Sequence, residues 1–176
     1  MSRSELGWLV EAGTVESAVA WDLADDLDAE IRALQVDPDA LAPHLTLCFL
    51  GRMPGAIWDV LGRDLAALGL PQQLPVRAEG VGVFRRPDGR IHNVHLRVRP
   101  DPELLDWHER VLDCGRRQPG FAPGPFTGAG WVPHVSIRDG VDLDRAPDLD
   151  LGPRDTVLVR PHLLARRIDP VRARAL

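Results

Sequence analysis

A chain of 176 residues, 44% of them hydrophobic, is long enough to bury one sizeable core and is most simply a single domain over residues 1–176. Its net charge of −5 excludes a protein that coats long nucleic acid by neutralising phosphates, but leaves room for a local cationic pocket taking a small or terminal phosphorylated ligand. No apolar run approaches the ~18 residues of a membrane span, and residues 1–6 lack the charged-then-apolar design of a signal peptide, so a cytoplasmic monomer with no membrane partner is expected.

Residues 1–14 form an N-terminal extension in which 5–10 read as a helix or an added strand. Residues 18–21 read as a strand, and 25–34 as a short helix with acidic residues in its first turn. Pro38 and Pro43 bracket a loop into a strand over 45–50. Ile57, Val60, Leu61, Leu65 and Leu68 recur at helical spacing, and Gly69 ends that helix. Residues 76–84 and 91–98 read as a hairpin turning through 85–90. Leu104, Leu105, Trp107, His108, Val111 and Leu112 mark a third helix, with Asp101 as its N-cap and Pro102 in its first turn. A loop rich in Gly, Pro and aromatics over 119–131 leads into a strand at 135–138. The acidic stretch 140–153 reads as a surface loop before a last strand over 157–164. This order indicates an α+β fold with mainly antiparallel pairing, helices covering one side and an open face on the other. Cys48 and Cys114 match no metal or disulfide spacing and read as reduced structural thiols.

Two segments repeat one pattern: Pro43-His44-Leu45-Thr46-Leu47 and Pro133-His134-Val135-Ser136-Ile137. Six His and eight Ser or Thr placed at random over this length give about 0.3 His-x-Ser/Thr triplets, so two with matched prolines and apolar flanks point to a shared task. Alternate side chains of a strand share a face, which puts His44 and Thr46 together about 6.5 Å apart, with Leu45 and Leu47 opposite. His134, Ser136 and Arg138 share a face in the same way, backed by Val135 and Ile137. If the two strands meet across a groove, it holds two imidazoles, two hydroxyls and a guanidinium. That equipment suits phosphodiester chemistry. One imidazole takes the proton of the attacking water, the other protonates the departing ribose oxygen, and the hydroxyls of Thr46 and Ser136 donate to the non-bridging oxygens. The scheme requires no metal and no cofactor.

Other candidates surround this pair. Arg138 reads as a phosphate contact or as an exposed edge arginine. Trp131, Phe126 and Phe121, in the loop before the second motif, either stack on a nucleobase or close an edge of the core. His95 shares parity with Asn93 and Arg97 and is expected to look into the cleft, where it would touch substrate. His92 falls on the other face, against a His92/His95 metal pair, and His108 and His162 read as structural or exposed.

The paired motifs, ninety residues apart, resemble those of the two-histidine (2H) phosphoesterase superfamily, which includes 2′-5′ RNA ligase-like proteins and 2′,3′-cyclic phosphodiesterases. The resemblance covers residues 15–168. Ser17 to Trp21 precede the first motif, Phe49-Leu50-Gly51 follow it, and Gly80-Val81-Gly82-Val83-Phe84 resemble the central strand. It implies two similar lobes related by a pseudo-two-fold, two mainly antiparallel sheets facing a central cleft, and helices outside. It also implies a hydrolase acting on a nucleotide or RNA terminus, with His44 as acid and His134 as base on a 2′,3′-cyclic phosphate. A 2′-5′ linkage, a small cyclic (oligo)nucleotide, ligation, or a binding module without turnover remain the alternatives.

Overall fold

The computed structural model describes residues 14–37, 40–54, 58–119, 121 and 127–167. The chain runs β1 (Thr14–Leu23), α1 (Asp25–Leu34), β2 (His44–Pro54), α2 (Trp58–Leu68), β3 (Gln73–Arg85), β4 (Ile91–Val98), α3 (Pro102–Arg116), a 3₁₀ turn (Gly128–Gly130), β5 (His134–Leu143) and β6 (Arg154–Arg167). Residues 5–10 and Phe126 lie outside the described residues.

The helices begin and end where local chemistry favours it. Asp101 accepts from the Leu104 amide at 2.9 Å, with Pro102 next in line, so α3 starts with one orphan donor satisfied. Three aspartates occupy the first turn of α1 and Arg32 its last, matching the helix dipole, and Arg32 donates to Asp28 at 2.6 Å. Gly69, at φ 64°, takes the left-handed conformation that stops α2. Leu27 and Ile31 of α1, Leu61 and Leu65 of α2, and Leu104, Val111 and Leu112 of α3 turn inward onto a core shared with Trp21, Leu45, Leu47, Leu96, Val135 and Ile137. The Trp21 indole is fully buried, with its N–H donated to the Pro71 carbonyl at 3.1 Å.

All strand pairs are antiparallel, as the alternation of the sequence leads one to expect. The two sheets are joined. β6 pairs with β1 along one part of its length and with β3 along another, so the strands form one closed ring in the order β1-β2-β5-β4-β3-β6. The closure between β2 and β5 is a single residue pair, Leu45 with Val135. The two histidine motifs begin at this narrow seam.

β5 extends to Leu143, into the stretch that its acidity marks as loop. Its charges are compensated across the hairpin: Arg90 bonds the Asp142 carboxylate and reaches Asp144 at 3.0 Å, and Arg86 lies 3.5 Å from Asp142. Cys48 and Cys114 are free and buried, and burial pushes the Cys48 thiol up to about 12. Among the described residues no helix is long and apolar enough to cross a membrane.

Candidate active site

Each motif opens with a buried proline, after which burial alternates residue by residue: His44 and Thr46 half-buried with Leu45 and Leu47 inside, His134 and Ser136 half-buried with Val135 and Ile137 inside. The imidazoles are held identically. His44 Nδ1 lies 2.7 Å from the Ala42 carbonyl, and His134 Nδ1 lies 2.7 Å from the Val132 carbonyl. A carbonyl only accepts, so each Nδ1 carries the proton and each Nε2 is left with its lone pair. The Leu45–Val135 pair sits on a local two-fold relating the motifs, which makes His44 and His134 diagonal neighbours on the face opposite the core. Diagonal positions in a regular antiparallel pair are about 7–8 Å apart.

Burial pushes the His44 imidazole below its ordinary pKa; the Ala42 bond and the Asp22 carboxylate oppose this, while His162 and His134 add to it. His134 is also pushed down, by burial first, against the Val132 bond and Asp139. Free of ligand, both rings are therefore biased toward the neutral form.

The surroundings of the two histidines differ. On the side of His44, β1 sets Asp22 opposite His44 and Ala20 opposite Thr46. Asp22 accepts from Arg160 Nε at 3.1 Å and lies 3.7 Å from His162 Nδ1. On the side of His134, β4 sets Arg97 opposite His134 and His95 opposite Ser136. His95 is 2% exposed, its ring 4.2 Å from Phe84 and 5.0 Å from His134 between centroids. Burial, and after it the charges of His134 and Arg97, push His95 down to about 4. Asn93 donates to Ser136 Oγ at 3.0 Å and pairs with His95 Nδ1 at 2.9 Å.

Several expectations change on contact with this geometry. His95 packs behind His134 as a supporting ring and is not an open surface of the cleft. Trp131 donates its indole N–H to the Thr46 carbonyl at 3.1 Å, and its ring stacks at 4.2 Å and 1° on His108, so one face and the polar edge are already used. It ties the loop before the second motif to the backbone of the first. His108 is structural, as expected: Nδ1 donates to the Leu47 carbonyl at 2.6 Å and Nε2 accepts from the Gly128 amide at 3.0 Å. Arg138 donates Nε–H to the Leu34 carbonyl at 3.2 Å, placing its guanidinium at the C-terminus of α1. His162, read as structural or exposed, stands beside Asp22 and His44. A register shift against β3, where Phe84 pairs with Asn93 and Arg85 with Ile91 so that His92 is the extra residue, breaks the parity that put His92 opposite His95, and both rings meet Phe84, His92 at 6.3 Å. Asn93, Phe84 and Asp22 carried no functional signal of their own in the sequence; only their strand parity hinted at this face. No group of three or more His, Cys, Asp or Glu among the described residues is arranged to hold a metal ion.

No family model matches the sequence, and no curated protein matches it. Solved structures do. A phosphoesterase matches with a TM-score of 0.60 at 19% identity over 88% of this chain and 90% of its own. LigT of E. coli matches with a TM-score of 0.58 at 21% identity, covering 86% and 88%. TT0787 of Thermus thermophilus matches with 0.55 at 22% identity, covering 85% and 94%. Over most of its length this chain therefore has the α+β fold of the LigT-like 2H phosphoesterases.

Proposed function

We propose that this chain is a metal-independent phosphodiesterase of the 2H phosphoesterase superfamily, acting on a 2′,3′-cyclic phosphate, a 2′-5′ linkage or a small cyclic (oligo)nucleotide. The carrying observation is the matched pair: two imidazoles, each with Nδ1 held by a carbonyl at 2.7 Å, on either side of one strand-to-strand contact. Such a pair supplies an acid and a base to the two ends of one in-line displacement. E. coli LigT crystallised with 3′-AMP, with ATP and with phosphate, which favours a nucleotide or an RNA terminus as the ligand of this cleft too.

On a 2′,3′-cyclic phosphate, His134 Nε2 takes a proton from water as its oxygen bonds to phosphorus. The bond from phosphorus to one ribose oxygen breaks, and the His44 imidazolium gives that oxygen its proton, leaving a 2′- or 3′-phosphate. Thr46 and Ser136 donate to the non-bridging oxygens. Asp22, paired in register with His44, favours the imidazolium there, whereas the register partner of His134 is Arg97. The anionic substrate favours the imidazolium further. The roles exchange for a linkage presented in the opposite sense.

The test is a metal-free hydrolysis panel of cyclic mononucleotides, cyclic-phosphate-ended RNA, 2′-5′ oligonucleotides and cyclic oligonucleotides, with products resolved as 2′- or 3′-phosphates. His44→Ala and His134→Ala should each lower turnover by about 10² to 10⁴-fold. The double variant should lose far less than the product of the two, since the pair acts as a unit. Binding of a non-hydrolysable nucleotide should survive within about tenfold, because hydroxyl and backbone donors persist. Chelator should leave the rate unchanged; loss restored by a divalent ion refutes the metal-free scheme. Wild-type turnover in both variants with collapsed binding would make the histidines ligand anchors of a binding module.

A further inference from the structure

The proposed reaction leaves one buried polar group behind the motifs without a task. Asn93 is 4% exposed in β4, and its amide makes three hydrogen bonds. The nitrogen lies 3.0 Å from Ser136 Oγ and 3.1 Å from Asp139 Oδ1, and the oxygen lies 2.9 Å from His95 Nδ1. Burying an amide is tolerated when hydrogen bonds replace those lost to water, and here both N–H groups and the oxygen are used.

Asp139 sets the direction of the whole network. A carboxylate accepts and does not donate, so the Asn93 atom facing it is the nitrogen; the reversed amide would set oxygen against oxygen at 3.1 Å. The second N–H on that nitrogen goes to Ser136 Oγ. The hydroxyl therefore accepts on this side, and its single proton is directed away from Asn93. At the other end Asn93 Oδ1 accepts from His95, whose proton is thereby on Nδ1.

We propose that Asn93 is a positioning residue that fixes Ser136 as a hydrogen-bond donor toward the phosphoryl group of the substrate while holding His95 as the neutral Nδ1–H ring behind His134. This rests on the phosphodiesterase reading and deepens it. Among the described residues the first motif has no equivalent: β1 sets the methyl of Ala20 opposite Thr46, where β4 sets His95 opposite Ser136. The two hydroxyls are thus unequal. Ser136 is oriented before substrate arrives, and a donor that need not reorient contributes more to a developing charge.

Asn93→Asp, made in an Asp139→Asn background so that two carboxylates do not face each other at 3.1 Å, keeps the shape and exchanges the donor toward Ser136 for an acceptor, so relative to Asp139→Asn alone the Ser136 proton is drawn back toward residue 93. On the best substrate of the panel this should lower kcat by about 10- to 100-fold with KM changed less than about threefold. In a Ser136→Ala background the same change should cost less than about threefold, because the hydroxyl it reverses is gone. The cycle read with inorganic phosphate as the ligand needs no turnover: in the Asp139→Asn background Asn93→Asp should weaken binding where Ser136 is present and leave it unchanged in Ser136→Ala. Equal losses in both backgrounds, in rate or in phosphate binding, would overturn the proposal. The side-chain ¹⁵N spectrum of the wild-type protein should show His95 protonated on Nδ1 and bare on Nε2; the opposite tautomer overturns it without any variant. A wild type that hydrolyses nothing in the panel defeats the phosphodiesterase reading, and the phosphate cycle and the spectrum then still decide the role of Asn93.

Discussion

His44 and His134 share a backbone anchor and differ in their neighbours, and that difference has a measurable sign. Both are pushed below their ordinary value, burial being the largest cause for each. The base must be neutral and the acid protonated, so kcat/KM rises as one ring loses its proton and falls as the other does. With both rings depressed, both limbs lie on the acid side of about pH 6.5, and kcat/KM of the free enzyme should peak below that value and decline through neutrality. Asp22 is the anion that favours the His44 imidazolium, and Arg160 and His162 sit against the same carboxylate. Asp22→Asn removes the anion and leaves those groups uncompensated beside His44. The alkaline limb should move to lower pH, with kcat/KM at pH 7 falling about three- to tenfold. A pH–rate profile whose alkaline limb stays fixed, or moves up, would show that Asp22 does not set the acid.

At the level of elements, the His134 side of the cleft depends on bare backbone in β3. A Cβ on Gly82 would lie 2.6 Å from His95 Nε2 and 2.8 Å from Arg97 Cγ. β4 lays two bulky side chains flat across that position, and only hydrogen fits beneath them. Gly82→Ala should therefore cost about 1–3 kcal/mol and lower turnover as well, since the displaced His95 ring lies against His134. Gly89→Ala is the control. Its Cβ meets open space and only its φ of +86° is unfavourable, so about 1 kcal/mol should be lost with turnover intact. Urea melts and kcat on both variants separate the two cases. Elements were legible in the sequence where one local rule governs them: α1 runs from Asp25 to Leu34 with the acidic first turn that marks its start, and Asp101 caps α3. Both motif strands carry their leucines, valine and isoleucine inward by simple alternation. What was not legible depends on partners distant in the chain. Trp131 reads either as a base platform or as an edge of the core, and its packing against the core and its N–H to the Thr46 carbonyl, 85 residues away, bring out the second. Arg138 has the parity of a phosphate ligand, and the end of α1 claims its Nε. The acidic run after Gly140 looks solvated until Arg86 and Arg90 are brought beside it.

On the scale of the whole molecule, the ring of strands is unevenly closed. β6 bridges β1 and β3 through long registers, whereas β2 and β5 pair in the ladder at Leu45 and Val135 alone among the described residues, beside the two motifs. A seam held by one pair opens at lower free energy than the rest of the sheet. A phosphate contacted from both strands acts as a second tie across it, because its donors come from β2 and β5 at once. Saturation with 3′-AMP as probe should therefore slow amide exchange in residues 44–47 and 134–137 together. It should also raise the unfolding midpoint by the linkage expected of a ligand bound only to the folded state, about 2.7 kcal/mol at a hundredfold excess over Kd. His44→Ala should reduce the protection on both segments, since loosening one end of the tie frees the other. Protection confined to one strand, with the other exchanging as in the free protein, would mean that the ligand sits in one half of the ring and that the two motifs do not act on a common phosphate.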